Sequence, residues 1–229
     1  MARNLPDDFK HRAESAILAI GRMGLWQGPI PEASPNGLIF PPTDPLKGIE
    51  EAPPSSVVVV AQDDNTIVGY MIIRFGTGLM SYSQGLRDQY GHLGQMAFVR
   101  SLAVAERYRG NNVTSSMMNT LLPLLSRYDI AFVGMHVRES PMANSAGKRA
   151  VKSCGFMRTS FKMGVDVEST YFGPGASNLI PTDSVRVDYT GYVLPVSPNQ
   201  FILNGRVVTP EMCEATPLTP EGLSLVRAE

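Results

Sequence analysis

The chain has 229 residues, 43% of them hydrophobic, with 20 Lys or Arg against 21 Asp or Glu and a formal net charge of −1. This describes a globular protein with room for one large core or a domain plus an appendage. No apolar run approaches the roughly 20 residues of a membrane-spanning helix, and two cysteines, Cys154 and Cys213, make no disulfide framework.

Asp7 and Asp8 stand early and the apolar window Ala16 to Ile20 is short, so neither a secretory signal nor a transit peptide is predicted. A reducing cytoplasm is the expected setting. Phe9, Ala13, Ala16, Ile17 and Ile20 recur at helical spacing and predict a helix over 5–24 that ends near Gly24. Residues 27–55 hold Pro41-Pro42 and Pro53-Pro54 and read as a long irregular connection that covers the substrate side. Val57 to Ala61 and Ile67 to Phe75 are β-rich runs joined as a hairpin through 62–66. Residues 76–94, with Tyr82, Tyr90 and His92, form an insertion before the strand Phe98 to Val104.

Tyr108-Arg109-Gly110-Asn111-Asn112-Val113-Thr114 then reads as a turn into a helix N-terminus. Such an end leaves backbone N–H groups without intrahelical partners, and with the helix macrodipole it forms an anion site. Val113, Met117, Leu121 and Leu124 mark the apolar stripe of that helix, which Pro123 should kink or end by removing a donor. Ile130 to Val137 is the next strand. A second helix carries a small-residue face through Ala143, Ala146, Gly147, Ala150, Val151 and Cys154, and stops at Gly155-Phe156. A further strand runs to about Val165. Beyond it, Val185 to Tyr189 and Tyr192 to Leu194 flank Thr190-Gly191, and Phe201 to Leu203 and Arg206 to Val208 flank Asn204-Gly205. Both pairs read as hairpins, the second with the strongest short turn signal.

Residues 96–162 carry ten Lys or Arg against three acidic residues, a local charge of +7 in a chain of net −1. A cationic segment in an otherwise acidic protein suits a polyanionic small molecule better than a long nucleic acid. For Lys148, Arg149 and Lys152 a solvated helix face explains the charges equally well.

Over residues 56–165 this pattern resembles the GCN5-related N-acetyltransferase (GNAT) superfamily. There an Arg or Gln is followed by two residues, a Gly, one residue and a Gly or Ala; Arg109 opens that register here. Downstream, Asn144 is followed eleven residues later by Gly155-Phe156, as in the family. Asn112 stands where Gly is preferred and Thr114 where Gly or Ala is, and Asn tolerates the left-handed backbone that such a turn needs. The register that often carries a Tyr to protonate the departing thiolate holds Val151, which excludes a phenol acid from that position.

The resemblance implies an α/β fold, a mixed, splayed β-sheet flanked by helices over 1–165, with a C-terminal β-hairpin extension over 166–229. It implies acetyl-CoA as co-substrate, held by Leu102, Val104, Arg109, Gly110, Asn111, Asn112, Val113, Thr114 and Asn144, with no metal. The reaction implied is acyl transfer to a primary amine on a small molecule or peptide, with no nucleic-acid or membrane partner. Such transfer needs a proton acceptor; His136, on the strand after the first helix, and Glu139 at its end are the candidates, with His92 and Ser101 behind them. Three readings stay open: the enzyme, a non-catalytic adaptor that uses its β tail, and acyl transfer from a carrier protein. The tail leaves a homodimer or a protein partner open as well.

Overall fold

The computed structural model describes residues 56–63, 66–76, 81–141, 143–168 and 184–228. The predicted helix over 5–24 and the connection over 27–55 lie outside them. The elements in order are β1 (Ser56–Asp63), β2 (Thr66–Phe75), α1 (Ser81–Tyr90), a short 3₁₀ turn (Gly91–Leu93), β3 (Gln95–Val104), a second 3₁₀ turn (Glu106–Tyr108), α2 (Val113–Ser126), β4 (Ile130–Ser140), α3 (Ser145–Ser153), β5 (Met157–Glu168), β6 (Ser184–Pro195), β7 (Asn199–Leu203), β8 (Arg206–Val207), α4 (Pro210–Ala215) and β9 (Leu223–Arg227). None of the described helices is long and apolar enough to cross a membrane.

Six strands form one mixed sheet in the order β1-β2-β3-β4-β6-β5, and β8-β7-β9 form a small second sheet. Within the large sheet only β3 and β4 run parallel, with α2 as the crossover between them. Alternate side chains of a strand face opposite sides, and here both sides are covered. Met71, Ile73, Ala97, Val99, Val133 and Val137 pack on Met117, Met118, Leu121 and Leu125 of α2 and Val151 of α3. On the other side Met96, Phe98, Phe132 and Phe161 pack on Leu86 and Tyr90 of α1 and on Phe201, Val208, Cys213, Leu218 and Leu223. The C-terminal residues therefore share one apolar cluster with the large sheet. Burial there pushes the Cys213 thiol up to about 11.

Three local expectations differ from what folds. The helix α2 continues through Pro123 to Ser126, because the fully buried Leu121 and Leu125 hold both turns against the sheet. The insertion at 76–94 contains α1. Thr190-Gly191 is no turn, since both lie inside the continuous strand β6, which enters the large sheet between β4 and β5. Gly191 is there for close packing: an added Cβ would stand 2.9 Å from Leu86 Cδ1 and 3.0 Å from Phe161 Cδ1. By contrast, Asn204-Gly205 is the turn of the β7–β8 hairpin, with φ of 50° and 79°.

Candidate active site

The parallel pairing of β3 with β4 is short. Gln95 to Phe98 lie beside Ile130 to Gly134, and beyond Phe98 and Gly134 the two strands no longer pair. A bulge in β3 accompanies the divergence: Ile73 faces Val99 and Ile72 faces Ser101, so Arg100 is an extra residue. Such a bulge bends its strand and sharpens its twist. The outer edge of β3 from Val99 to Val104 and the facing edge of β4 from Met135 to Ser140 thus border a wedge with no strand of the described residues between them. About half of the backbone N–H and C=O groups of a strand point to each edge, so the wedge offers hydrogen bonds to an extended ligand.

At the β3 end of this wedge lies the turn into α2. Gly110 and Asn112 both have positive φ, 82° and 58°, and a Cβ at Gly110 would meet nothing within 4 Å. Asn112, at the N-cap, makes no side-chain capping bond, although its carbonyl oxygen accepts from the Ser116 amide at 2.9 Å. The amides of Val113, Thr114 and Ser115 precede the first intrahelical donor. Arg109 is tied back into the strand, its Nε donating to the Val104 carbonyl oxygen at 3.1 Å. The neighbouring Tyr108 hydroxyl donates to Asp63 Oδ2 at 2.8 Å and fastens the turn to the β1–β2 hairpin. Asn111 Nδ2 reaches the Arg109 carbonyl oxygen at a long 3.4 Å. An open turn, uncapped amides and a wedge whose strand edges face no neighbouring strand of the described residues fit a phosphate followed by an extended amide-bearing arm.

Leu102 and Val104 turn their half-buried side chains toward the α2 cluster, so their backbone, not their side chains, borders the wedge. Asn144 is the N-cap of α3, its Oδ1 accepting from the Gly147 amide at 2.8 Å, which commits its oxygen and leaves its amide NH2 for a ligand. Val151 is buried in the α2–α3 cluster.

His136 and Glu139 lie on opposite faces of β4. Glu139 is paired with Lys148 at 2.5 Å, and Lys152 with Glu214 at 2.7 Å, so two cations of the basic segment are neutralised locally. The His136 ring is T-shaped to Phe98 at 4.9 Å between centroids, stacked on Phe161 at 5.3 Å with an interplanar angle of 18°, and tilted to Tyr189 at 6.4 Å. Neither ring nitrogen has a hydrogen-bond partner among the described residues, and both are buried. Desolvation lowers the imidazole to about 4, so it is neutral at physiological pH. His92 is exposed in the 3₁₀ turn, with Nδ1 3.2 Å from the Gln89 carbonyl oxygen. Ser101 follows the bulge and its Oγ lies 3.3 Å from the Tyr70 hydroxyl, whose ionisation burial pushes well above the usual phenol range. The sequence offers no local signal for Tyr70 and Ser101, since 31 residues separate them. Among the described residues no group of three His, Cys, Asp or Glu is arranged to hold a metal ion.

Comparison with solved structures finds the smu.2055 protein of Streptococcus mutans at 17% identity and a TM-score of 0.51, covering 80% of this chain and 96% of that one. The yncA protein of Salmonella typhimurium, solved with its cofactor acetyl-CoA, matches at 16% identity and a TM-score of 0.48 over 86% of this chain and 93% of that one. The ribosomal-protein-S18-alanine N-acetyltransferase of Escherichia coli matches at 14% identity and a TM-score of 0.46 over 85% and 92%. At 17% identity the Streptococcus mutans likeness shows the fold alone. No curated protein matches the chain. The model of the Acetyltransferase (GNAT) family matches residues 29–156, more than half of the sequence, and the chain belongs to that family, whose reaction is acyl transfer from acetyl-CoA.

Proposed function

We propose that this protein is an N-acyltransferase that moves an acetyl group from acetyl-CoA to a primary amine of a small molecule or peptide. The observation that carries this reading is the wedge between β3 and β4 opening beside the uncapped N-terminus of α2. When bound, acetyl-CoA supplies an electrophilic thioester carbon. The amides of Val113 to Ser115, helped by the cationic Arg109, bind the pyrophosphate; charge-assisted bonds of this kind contribute roughly 1.5–3 kcal/mol each. The strand edge around Leu102 to Val104 and the Asn144 amide orient the arm. Backbone N–H groups of β3 near Leu102 or Ala103 face the oxygen on which charge develops.

His136 is the proposed proton acceptor. A neutral imidazole offers a lone pair at either Nδ1 or Nε2, and burial keeps that lone pair from being protonated by solvent. The apolar surroundings also exclude water, so the acceptor amine itself must reach the ring. With valine at 151, the CoA thiolate released as the C–S bond breaks takes its proton from solvent or from another side chain.

A second reading has its own support: the ring nitrogens of His136 are shut from solvent and Glu139 is committed to Lys148, as suits a non-catalytic member of the fold. Calorimetry with acetyl-CoA and CoA, paired with thiol release in the presence of a panel of amines, decides between them. Binding with acceptor-dependent thiol release supports the enzyme. Binding without transfer to any amine supports the adaptor, and absence of binding at millimolar CoA overturns the site.

A further inference from the structure

The strand β5 departs from its ladder where it passes His136. Arg158 faces Tyr192 and Lys162 faces Thr190, so three residues, Thr159, Ser160 and Phe161, stand against the single residue Gly191 of β6. A bulge of this size takes backbone groups out of the ladder, and buried backbone groups need partners. Leu218, in the segment after α4, supplies them. Its amide donates to the Arg158 carbonyl oxygen at 2.8 Å, and its carbonyl oxygen accepts from the Ser160 amide at 2.9 Å. The second lone pair of that carbonyl oxygen accepts from the buried Tyr90 hydroxyl of α1 at 2.6 Å. Both polar groups of Leu218 are thereby used, and its side chain is buried in the cluster shared with Phe161.

The bulge aims Phe161. Thr159 Oγ1 donates to the Gly191 carbonyl oxygen at 2.7 Å and accepts from the Phe161 amide at 3.3 Å. The Phe161 ring then fills a slot left by two glycines: a Cβ at Gly85 would stand 2.7 Å from Phe161 Cε2, and one at Gly191 3.0 Å from Phe161 Cδ1. In that slot it lies flat against His136. A regular β5 would carry two fewer residues between Arg158 and Lys162, and Phe161 would have neither this place nor this slot.

We propose that the C-terminal segment around Leu218 is a positioning element of the active site, which holds the β5 bulge so that Phe161 fixes the plane and burial of the His136 imidazole. Leu218, Tyr90 and Thr159 act through Phe161; none of them is assigned contact with substrate. The rings on His136 come from β3 (Phe98), β5 (Phe161) and β6 (Tyr189), and of these only Tyr189 is titratable; on β4 itself the nearest charged group of the same face is the buried Arg138. Loosening Phe161 therefore acts on His136 through solvent exposure, and among the described residues no carboxylate shifts its titration. The functional side of the inference rests on the reading of His136 as proton acceptor.

The test uses the full chain with Thr159→Val, Thr159→Ser and Tyr90→Phe, each checked for folding by circular dichroism. The readouts are the His136 imidazole titration by NMR and the kinetics of acetyl transfer. The expected result is a His136 midpoint raised by about one unit toward its ordinary value in Thr159→Val, a turnover lowered about tenfold with KM for acetyl-CoA unchanged, and recovery of both in Thr159→Ser. Tyr90→Phe, which removes one oxygen and leaves the ring in place, shifts the titration in the same direction by a smaller amount and decides the matter if Thr159→Val does not fold. Variants that fold with lowered melting temperature and an unmoved His136 titration overturn the proposal, since Leu218 then only stabilises. Undiminished turnover in His136→Gln refutes the proton-acceptor reading instead, and the titration alone then decides the positioning.

Discussion

Arg109 and Val104 are joined by a hydrogen bond of 3.1 Å from the guanidinium Nε to the strand carbonyl oxygen. The turn into α2 and the end of the splayed strand are therefore one piece, and the side chain that opens the family's register has a structural duty as well as a charge. Arg109→Ala should raise the acetyl-CoA dissociation constant about tenfold by calorimetry, the equivalent of one charge-assisted bond. Arg109→Lys keeps the charge and loses the planar fork, so it should recover only part of the affinity. Full recovery in the lysine variant would reduce the role of Arg109 to charge.

Asn112 holds a φ of 58° at the helix entrance. A β-branched side chain pays a steric penalty in that region, so Asn112→Val should lower stability by about 1–2 kcal/mol in urea unfolding and weaken acetyl-CoA binding. Asn112→Gly should fold and bind at least as well as the parent. Equal stability of the Val and Gly variants would mean that the left-handed turn is not retained.

Val151 is packed against the sheet beneath α3. A tyrosine there must enter a filled core, so Val151→Tyr should cost about 1–3 kcal/mol and give no gain in turnover. A folded variant with faster thiol release would show that the phenol escapes the core and reaches the leaving group.

His136 makes stability depend on pH with a definite sign. Its folded midpoint, about 4, lies below the ordinary 6.5, so between these values the unfolded chain binds the additional proton. The stabilisation is fully present above about pH 6.5 and is lost as pH falls toward 4, to a total of about 3 kcal/mol. His136→Phe should remove that component, seen as a flatter dependence of the urea midpoint between pH 7 and pH 4. An unchanged slope would contradict the buried, neutral imidazole.

Removal of residues 196–229 should uncover Leu86, Tyr90, Phe132 and Phe161, which pack on Phe201, Val208, Leu218 and Leu223. The truncated chain should be aggregated or bind a hydrophobic dye strongly, because exposed apolar area of this kind is unstable in a monomer. A monodisperse, cooperatively melting product would show that the tail is an accessory to a self-sufficient core.

The amino-acid sequence alone determined the features that rest on near neighbours. The β1–β2 hairpin, the Asn204-Gly205 turn and the tolerance of Asn112 for a left-handed backbone each depend on a few adjacent residues, whose φ preferences and alternation of polarity are written locally. The register from Arg109 through Asn144 to Gly155-Phe156 likewise sufficed to indicate the family. Only the tertiary structure decided what depends on distant partners. Thr190-Gly191 has the composition of a turn, yet β6 runs straight through it because Gly191 is where Leu86 and Phe161 come too close for a side chain. His136 and Glu139, three residues apart, are separated by the pleat of β4, one among aromatic rings and the other with Lys148. Leu218 meets Tyr90 across 128 residues of chain. Such contacts leave no periodic trace, because packing and backbone satisfaction at these points are set by the meeting of separate elements.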